Sequence, residues 1–515
     1  MDAIELSLFS SRIEAVCEEM GAVLRRTAFS PNIKDRLDFS CAVFDAEGQL
    51  CAQAAHIPVH LGSMAYAMRD IVGSLLWAEG DMVVVNDPFL GGTHLPDVTV
   101  IAPLFVESKL LGFVANRAHH ADIGGHAPGS MPISRSLEEE GIVIPPSHLV
   151  REGVLNEELL GQILGGTGNS HELHGDFAAQ MSANRSGVAR LGQLIHGMGQ
   201  EAYSRALQEL NNYAERLART ALSAIPDGSY HFSDCLDDDG LGNSDLVIAA
   251  MVRVEGGSIE IDFAGTAPQT AGNVNCPLSV AAAGVYYVFR CLMPAQTPAC
   301  AGAFRPITLS APVGCLLNAV RPAAVAAGNV ETSSRVVDVI CGALAQALPE
   351  RIPAASHGTM NNLAMGSRSE SSRWDYYETM GGGMGAGAKG GGLSALQTHM
   401  TNTLNTPIEV LEMNYPLRLR RYAVRTGSGG AGCRPGGDGL VREFEFLAPA
   451  QVTLLTERRR HAPWGLAGGE AGAVGENRLN GELLPGKTSI QVKAGDRLSV
   501  ATPGGGGWRE AEECR

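Results

Sequence analysis

Residues 86–126 read NDPFLGGTHLPDVTVIAPLFVESKLLGFVANRAHHADIGGH. Two β-type runs, DVTVIAPLFV at 97–106 and LLGFVANRAHH at 110–120, flank the short connection Glu107-Ser108-Lys109. That pattern predicts an antiparallel hairpin. Paired positions in a hairpin sum to a near constant, so a turn near 108 sets residue 97 opposite roughly residue 119. The residues able to do chemistry gather at the open end. His94 and Asp97 stand where the first strand begins, and His119, His120, Asp122 and His126 stand where the second ends. Nine of the fourteen histidines in the chain fall between His56 and His174.

Outward from the hairpin the pattern alternates between β and α. Apolar residues Ile4, Leu8, Ile13, Val16, Met20, Val23 and Leu24 predict an amphipathic helix over 3–27. DFSCAVFD (38–45) and QLCAQAA (49–55) read as strands around a turn at 46–48, followed by a helix over 61–77 and a strand at 81–87. Residues 176–222 read as one long or broken helical stretch, ended by Ile225-Pro226-Asp227-Gly228. A β-rich segment follows, then apolar helices near 278–294 and 331–348, then short strands separated by glycine turns. The expected fold class is α+β, multi-lobed, with hairpins around a metal site. Its expected divisions are an N-terminal lobe 1–175, a helical segment 176–227, a central lobe 228–430 and a glycine-rich β region 431–515.

Charge and composition narrow the function. The chain has 515 residues, with 55 acidic against 39 basic side chains and a net charge of −16. Phosphate backbones require clustered Lys and Arg, so nucleic acid is excluded as the main partner. The N-terminus shows no basic region followed by an apolar run, and no stretch reaches about 18 apolar residues. Eleven dispersed cysteines without a CxxC pair fit reduced thiols. A cytoplasmic protein with no membrane span and no cysteine-based zinc site is therefore expected. The 63 glycines mark turns and places where backbone comes close to something else.

Two imidazoles and a carboxylate are a suitable ligand set for a catalytic divalent ion, and the hairpin brings His94, Asp97 and His119 together. Zinc and manganese both suit such a set. Asp38 is a candidate fourth ligand, with Asp35, Asp87 and His148 as competitors. His120 faces away from His119 on a strand, as a base reached from another direction or as a structural residue. Asp122 returns to the His119 face, as a ligand's partner or a base. The glycine-bearing segments are less decisive. GELLPGKT (481–488) matches a phosphate-binding loop literally. Its flanks, Asn480-Gly481 and the alternating run after Thr488, predict a β-hairpin instead. MGGGMGAGAKGGG (380–392) reads either as a mobile or close-approach loop at a substrate or subunit contact, or as a flexible connection. NVETSSRVVD (329–338) reads as a helix start capped by Asn329 or Thr332, whose free amides can also receive an anion. Glu331, Thr332 and Ser333 are accordingly the substrate-binding candidates. SHGTMNN (356–362) either lines a pocket or is an ordinary connection.

Taken together, SPNIKDRLDFSCAVFD, NDPFLGGTHLPDVTV, AHHADIGG, NVETSSRVVD, HMTNTLNTPIEVLE and SGGAGCRPGGDGLVRE resemble the hydantoinase B/oxoprolinase family, from about residue 4 to about residue 508. The resemblance implies a division of labour. A hydantoinase A-type partner binds ATP and phosphorylates the carbonyl oxygen of a cyclic amide or a ketone. The B-type chain then uses a divalent metal for ring opening, or for carboxylation in the ketone enzymes. It further implies that His94, Asp97 and His119 are metal ligands, with Asp38 of LDFS similar to a further acidic one. His120 and Asp122 are the residues expected to transfer protons. The expected function is thus the hydrolytic subunit of a hetero-oligomeric, ATP-dependent cyclic amidase that does not itself bind ATP. A ketone carboxylase subunit with the same metal site and a non-catalytic scaffold subunit are the alternatives.

Overall fold

A computed structural model describes residues 1–54, 56–369 and 372–514. Ala55, at the end of the expected QLCAQAA strand, and Arg515, at the end of the expected last region, lie outside the described residues. Strands β1 (Phe39–Asp45), β2 (Leu50–Gln53), β3 (Met82–Val85), β4 (Asp97–Val106), β5 (Lys109–His119), β6 (Ser147–Arg151) and β7 (Val154–Leu155) form one antiparallel sheet. Its order is β2-β1-β5-β4-β3-β6-β7, so the hairpin β4–β5 lies at its centre.

The register of that hairpin is set in two steps. Glu107 and Ser108 both adopt left-handed backbone, with φ of 50° and 63°, which gives the two-residue connection whose twist suits a hairpin. The turn pairs Val106 with Lys109. Carried unchanged along the strands, that register would set Asp97 against Ala118. A one-residue shift between Leu104 and Phe105 sets it against His119 instead. Because side chains alternate faces, the irregularity decides whether Asp97 and His119 share a face.

Helices cover the sheet on both sides, which is why β4 and β5 are buried almost throughout rather than at every second residue. Cys41, Val43, Val98, Val100 and Val114 pack with helices Ala3–Thr27 and Ser170–Met198, while Ala42, Phe44, Ile101, Phe113 and Ala115 pack with helix Pro58–Gly73. Gln180 and Asn184 of the long helix reach into the sheet, donating to the carbonyls of Val98 and Val100 at 2.9 Å each. By the same alternation Asp97, Thr99, Arg117 and His119 face the start of helix Pro58–Gly73. His120 faces the long helix.

The 176–222 stretch is two helices, Ser170–Met198 and Gln200–Leu222, broken at Gly199 with φ 87°. Helices Leu278–Leu292 and Ser333–Ala345 occupy the two apolar segments. The capped start expected at Asn329 or Thr332 does not form. The chain enters that helix through a π-turn, Gly328–Thr332, with no side-chain cap. The Asn480-Gly481 pair closes a hairpin between Glu476–Leu479 and Glu482–Leu484, and Lys487–Val492 is a strand, so no helix follows the GKT sequence. Lys487 is buried and paired with Glu457. Among the described residues nine cysteines are free thiols, as the dispersed pattern predicts, whereas Cys433 departs from it and is disulfide-bonded.

The 380–392 segment makes close approaches, and its neighbour is the chain's own C-terminal segment. The Gly383 amide donates to the carbonyl of Pro503, the Gly437 amide to that of Met384, and the Gly505 amide to that of Gly437. A Cβ on Gly383 would lie 1.9 Å from the Gly437 carbonyl oxygen, so the layers approach closer than any side chain allows.

Candidate metal centre

The end of the hairpin and the loop before it bring three side chains to one point. Asp97 Oδ1 lies 3.2 Å from His94 Nε2 and 3.1 Å from His119 Nδ1, and all three residues are buried. Ligand atoms of these residues lie within 4.8 Å of one another. They line a cavity of about 20 Å³, together with Asp38, His60, Asn329, Met360, Tyr377 and others. That volume admits one water-sized occupant.

Each ligand candidate is held from behind. Asp97 Oδ2 accepts hydrogen bonds from Thr93 Oγ1 at 2.7 Å and from Asn329 Nδ2 at 3.1 Å, with His60 Nε2 at 3.2 Å, which leaves Oδ1 to face the histidines. The imidazole of His119 stacks on Tyr377, with ring centroids 4.3 Å apart, and the Tyr377 hydroxyl accepts from Asn362 Nδ2. His94 Nδ1 stands 3.1 Å from the Ala326 carbonyl, which can only accept. Nδ1 is therefore the protonated nitrogen, and the lone pair of the neutral ring is on Nε2. One layer beneath, buried Arg117 donates to Thr99 Oγ1, Ser63 Oγ and the Gly91 carbonyl, tying the hairpin to the helix and to the loop that carries His94.

These groups fit a cation. The Nε2 atoms of His94 and His119 are buried without hydrogen-bond partners. Such atoms are costly to bury unless something electropositive meets them. The charges agree. Burial pushes the His119 pKa down, favouring the neutral ring that a metal requires. Burial also opposes charge on His94, but the adjacent Asp97 carboxylate outweighs it and the net direction is up. Burial would raise Asp97 as well, yet His60, His94 and the hydrogen bonds hold it well below the ordinary carboxylate range. The pocket thus favours positive charge beside a permanent carboxylate.

Asp38 lines the same cavity, with Oδ1 3.9 Å from His60 Nε2 and Oδ2 3.7 Å from Arg36 Nη2. His60 is the residue that sequence reasoning missed. It lies in the first turn of helix Pro58–Gly73, remote from the hairpin in sequence. Its nearest sequence signal is membership of the histidine-rich 56–174 stretch. Ser40 Oγ approaches His60 Nδ1 at 3.4 Å, leaving Nε2 between Asp97 and Asp38.

The other expected site residues are placed elsewhere. His120 Nε2 meets Gln180 Oε1 at 3.0 Å and its ring packs on Phe177, on the opposite face of the sheet. Asp122 lies beyond the end of β5. It accepts from the amides of Gly124 and Gly168 and from Ser130 Oγ, and Arg368 Nη1 lies 3.3 Å away. Neither residue lines the cavity. Glu331, Thr332 and Ser333 are buried just behind its wall, to which Asn329 and Val330 contribute. The Thr332 hydroxyl donates to the Val274 carbonyl and the Ser333 hydroxyl to the Asn329 carbonyl. Glu331 Oε1 accepts from the Met360 amide, and burial raises its pKa to about 8. Of the competitors to Asp38, Asp87 pairs with Arg321 and His148 with Asp81, away from the cavity.

Comparison with known proteins agrees with this fold. An uncharacterized protein of Methanocaldococcus jannaschii is 40% identical over 99% of this chain and 91% of its own length. The 5-oxoprolinase 1 of Arabidopsis thaliana is 40% identical over 98% of this chain, which spans 42% of that longer protein. The crystal structure of the ATP-dependent caprolactamase from Pseudomonas jessenii superposes with a TM-score of 0.92 at 28% identity, covering 100% of this chain and 92% of that one. The family model for hydantoinase B/oxoprolinase matches residues 2–511. The chain belongs to the hydantoinase B/oxoprolinase family.

Proposed function

We propose that the chain is the metal-dependent, ring-opening subunit of an ATP-dependent cyclic amidase. The observation that carries this reading is the convergence of His94, Asp97 and His119 on one small buried cavity with two imidazole nitrogens unpaired. The relatives support the substrate class, since a 5-oxoprolinase and a caprolactamase are both named for cyclic amides.

An amide carbonyl is a poor electrophile, and phosphorylating its oxygen opens the carbon to attack by water. The ring C–N bond then breaks with a proton to nitrogen, and the acyl phosphate left behind is hydrolysed to carboxylate and phosphate. In this reading a hydantoinase A-type subunit carries out the phosphorylation with ATP and passes on a carbonyl-phosphorylated hydantoin, 5-oxoproline or other lactam. The two subunits form a hetero-oligomer in the cytoplasm. The GKT sequence leads into strand Lys487–Val492 and not into a helix, which supports leaving ATP to the partner.

His94, Asp97 and His119 would hold a zinc or manganese ion, with Asp38 as the further carboxylate. When bound, such an ion would supply Lewis-acid activation of water and of developing negative charge. The rest belongs to the chain's own residues. Thr93, Asn329 and His60 fix one oxygen of Asp97 so that the other stays aimed at the cavity. Tyr377 sets the plane of His119. His60, between Asp38 and Asp97, is better placed than His120 or Asp122 to hold or move a proton at the cavity. Asn329 and Val330 present the 329–333 segment to substrate, with Glu331, Thr332 and Ser333 supporting it from behind.

The test is co-expression with an A-type subunit and measurement of ATP-coupled ring opening of hydantoin, 5-oxoproline and ε-caprolactam. His94→Ala and Asp97→Ala should abolish bound metal and ring opening together. Full metal content in both variants would overturn the reading. Bicarbonate-dependent consumption of a ketone without amidase activity would select the carboxylase alternative.

A further inference from the structure

Glu140 stands at the end of the short helix Leu137–Glu140, is fully buried, and touches neither the cavity nor any ligand candidate directly. Its carboxylate is nonetheless surrounded by donors. Oε1 accepts from Ser134 Oγ at 2.7 Å, from the Val325 amide at 2.9 Å and from the Ala326 amide at 2.9 Å, while Oε2 accepts from the Val325 amide at 3.1 Å. Two successive backbone amides and a hydroxyl on one buried carboxyl group make a rigid clamp; burial raises its pKa to about 7, and these donors oppose that by favouring the ionised form. The clamped segment is the one that reaches the metal centre. Ala326 offers its carbonyl to His94 Nδ1 at 3.1 Å, and three residues on, Asn329 donates to Asp97 Oδ2. A second contact joins the same elements, from the Leu137 amide to the Pro322 carbonyl.

We propose that Glu140 is a positioning residue for this centre. By fixing the Val325–Ala326 backbone it keeps the Ala326 carbonyl on His94 Nδ1, which holds His94 in the Nδ1–H tautomer and leaves Nε2 free for the ion. The inference rests on the metal reading above for its purpose and on the Glu140–Ala326–His94 geometry for its mechanism. Partners that orient a ligating histidine change metal affinity by roughly 10–100-fold when removed.

The experiment uses the full chain, stripped of metal, with cobalt(II) as the probe. Glu140→Gln should weaken cobalt binding about 10–100-fold and shift its visible absorption. It should also turn the His94 ring from a single Nδ1–H tautomer into a mixture, read at alkaline pH, where the ring is neutral, by ¹⁵N NMR of histidine-labelled, metal-free protein with His94→Gln for assignment. Glu140→Asp keeps the charge but shortens the reach, and should change both readouts in the same direction. It decides the matter if the glutamine variant does not fold. Wild-type cobalt affinity and an unchanged His94 tautomer in the folded variants would overturn the proposal. A wild-type chain that binds no cobalt would overturn the metal reading instead. The tautomer measurement needs no metal and would still decide the role of Glu140.

Discussion

Replacing Asp97 by asparagine separates the two tasks of this side chain. In the native site Oδ2 meets Thr93, Asn329 and His60, while Oδ1 faces His94 Nε2 and His119 Nδ1. The amide introduced by Asp97→Asn has one orientation that suits this surrounding. Its oxygen takes the three donors, and its NH₂ group points at the two imidazole nitrogens. Every contact of the metal-free protein is then kept once His119 moves its proton from Nδ1 to Nε2, and stability should fall by no more than about 1 kcal/mol. The metal position, however, is lined by N–H donors in place of a carboxylate oxygen. For the wild type, an ion at 100 times its dissociation constant adds about 2.7 kcal/mol. At ~2.1 cal/mol/K per residue, a chain of this length has an unfolding entropy of about 1.1 kcal/mol/K, so the ion should raise Tm by roughly 2–3 °C. Thermal melts of stripped protein with and without zinc should show that rise in the wild type and none in Asp97→Asn. Asp97→Ala leaves three buried donors unpaired and should lose about 3–5 kcal/mol without any metal present. An Asp97→Asn protein that keeps the full metal-induced rise would refute the ligand assignment. One that is as unstable as Asp97→Ala would refute the hydrogen-bond reasoning.

Three further outcomes follow. Gly383→Ala would place a methyl group 1.9 Å from the Gly437 carbonyl oxygen, so it should destabilise at or above the upper end of about 1–3 kcal/mol in chemical denaturation while leaving zinc affinity unchanged. Lys487→Met removes one of two buried cations on Glu457, leaving Arg335 at 3.3 Å, and should cost about 3 kcal/mol, the lower end of the range for a broken buried pair. ATP turnover by the reconstituted complex, measured per folded protein, should not change, because this lysine is not in a phosphate loop. Burial raises the Glu331 pKa from 4.5 to about 8, so the folded state holds its proton more tightly than the unfolded chain does. Its contribution is therefore complete below pH 4.5 and is lost as pH rises through 8. The denaturation midpoint of Glu331→Gln should gain on the wild type across that window, and a parallel pH dependence of the two proteins would contradict it.

The hairpin and three of its residues were legible in the sequence because the chemistry there is local. His94, Asp97 and His119 lie within 26 residues of one another and share one supersecondary unit. Even so, the pairing rule brings Asp97 only to the neighbourhood of His119. The shift between Leu104 and Phe105 completes the match, and nothing in LFVESKLL announces it. His60 was not legible because it arrives from another element. Its role depends on which face helix Pro58–Gly73 covers, a tertiary fact. His120 and Asp122 illustrate the converse. Both are close to His119 in sequence, but strand alternation turns one to the far side of the sheet. The end of β5 releases the other into a turn, where loop amides and Arg368 gather around its carboxylate. The Glu140 clamp spans 185 residues and has no sequence signature at all.

The packed glycine segments near the C-terminus give part of this protein an unusual thermal character. A core of side chains exposes hydrocarbon when it melts, which raises the heat capacity by ~0.45 cal/K/mol for each Å². Where 380–392, 428–437 and 503–508 meet, the surfaces in contact are largely peptide groups, whose exposure changes heat capacity with the opposite sign, about −0.26 cal/K/mol per Å². The free-energy curve of this region should accordingly be flatter in temperature than that of the hairpin lobe. Cooling, which weakens the attraction between hydrocarbon surfaces, should loosen the lobe that carries His94 and Asp97 before it loosens the glycine layers.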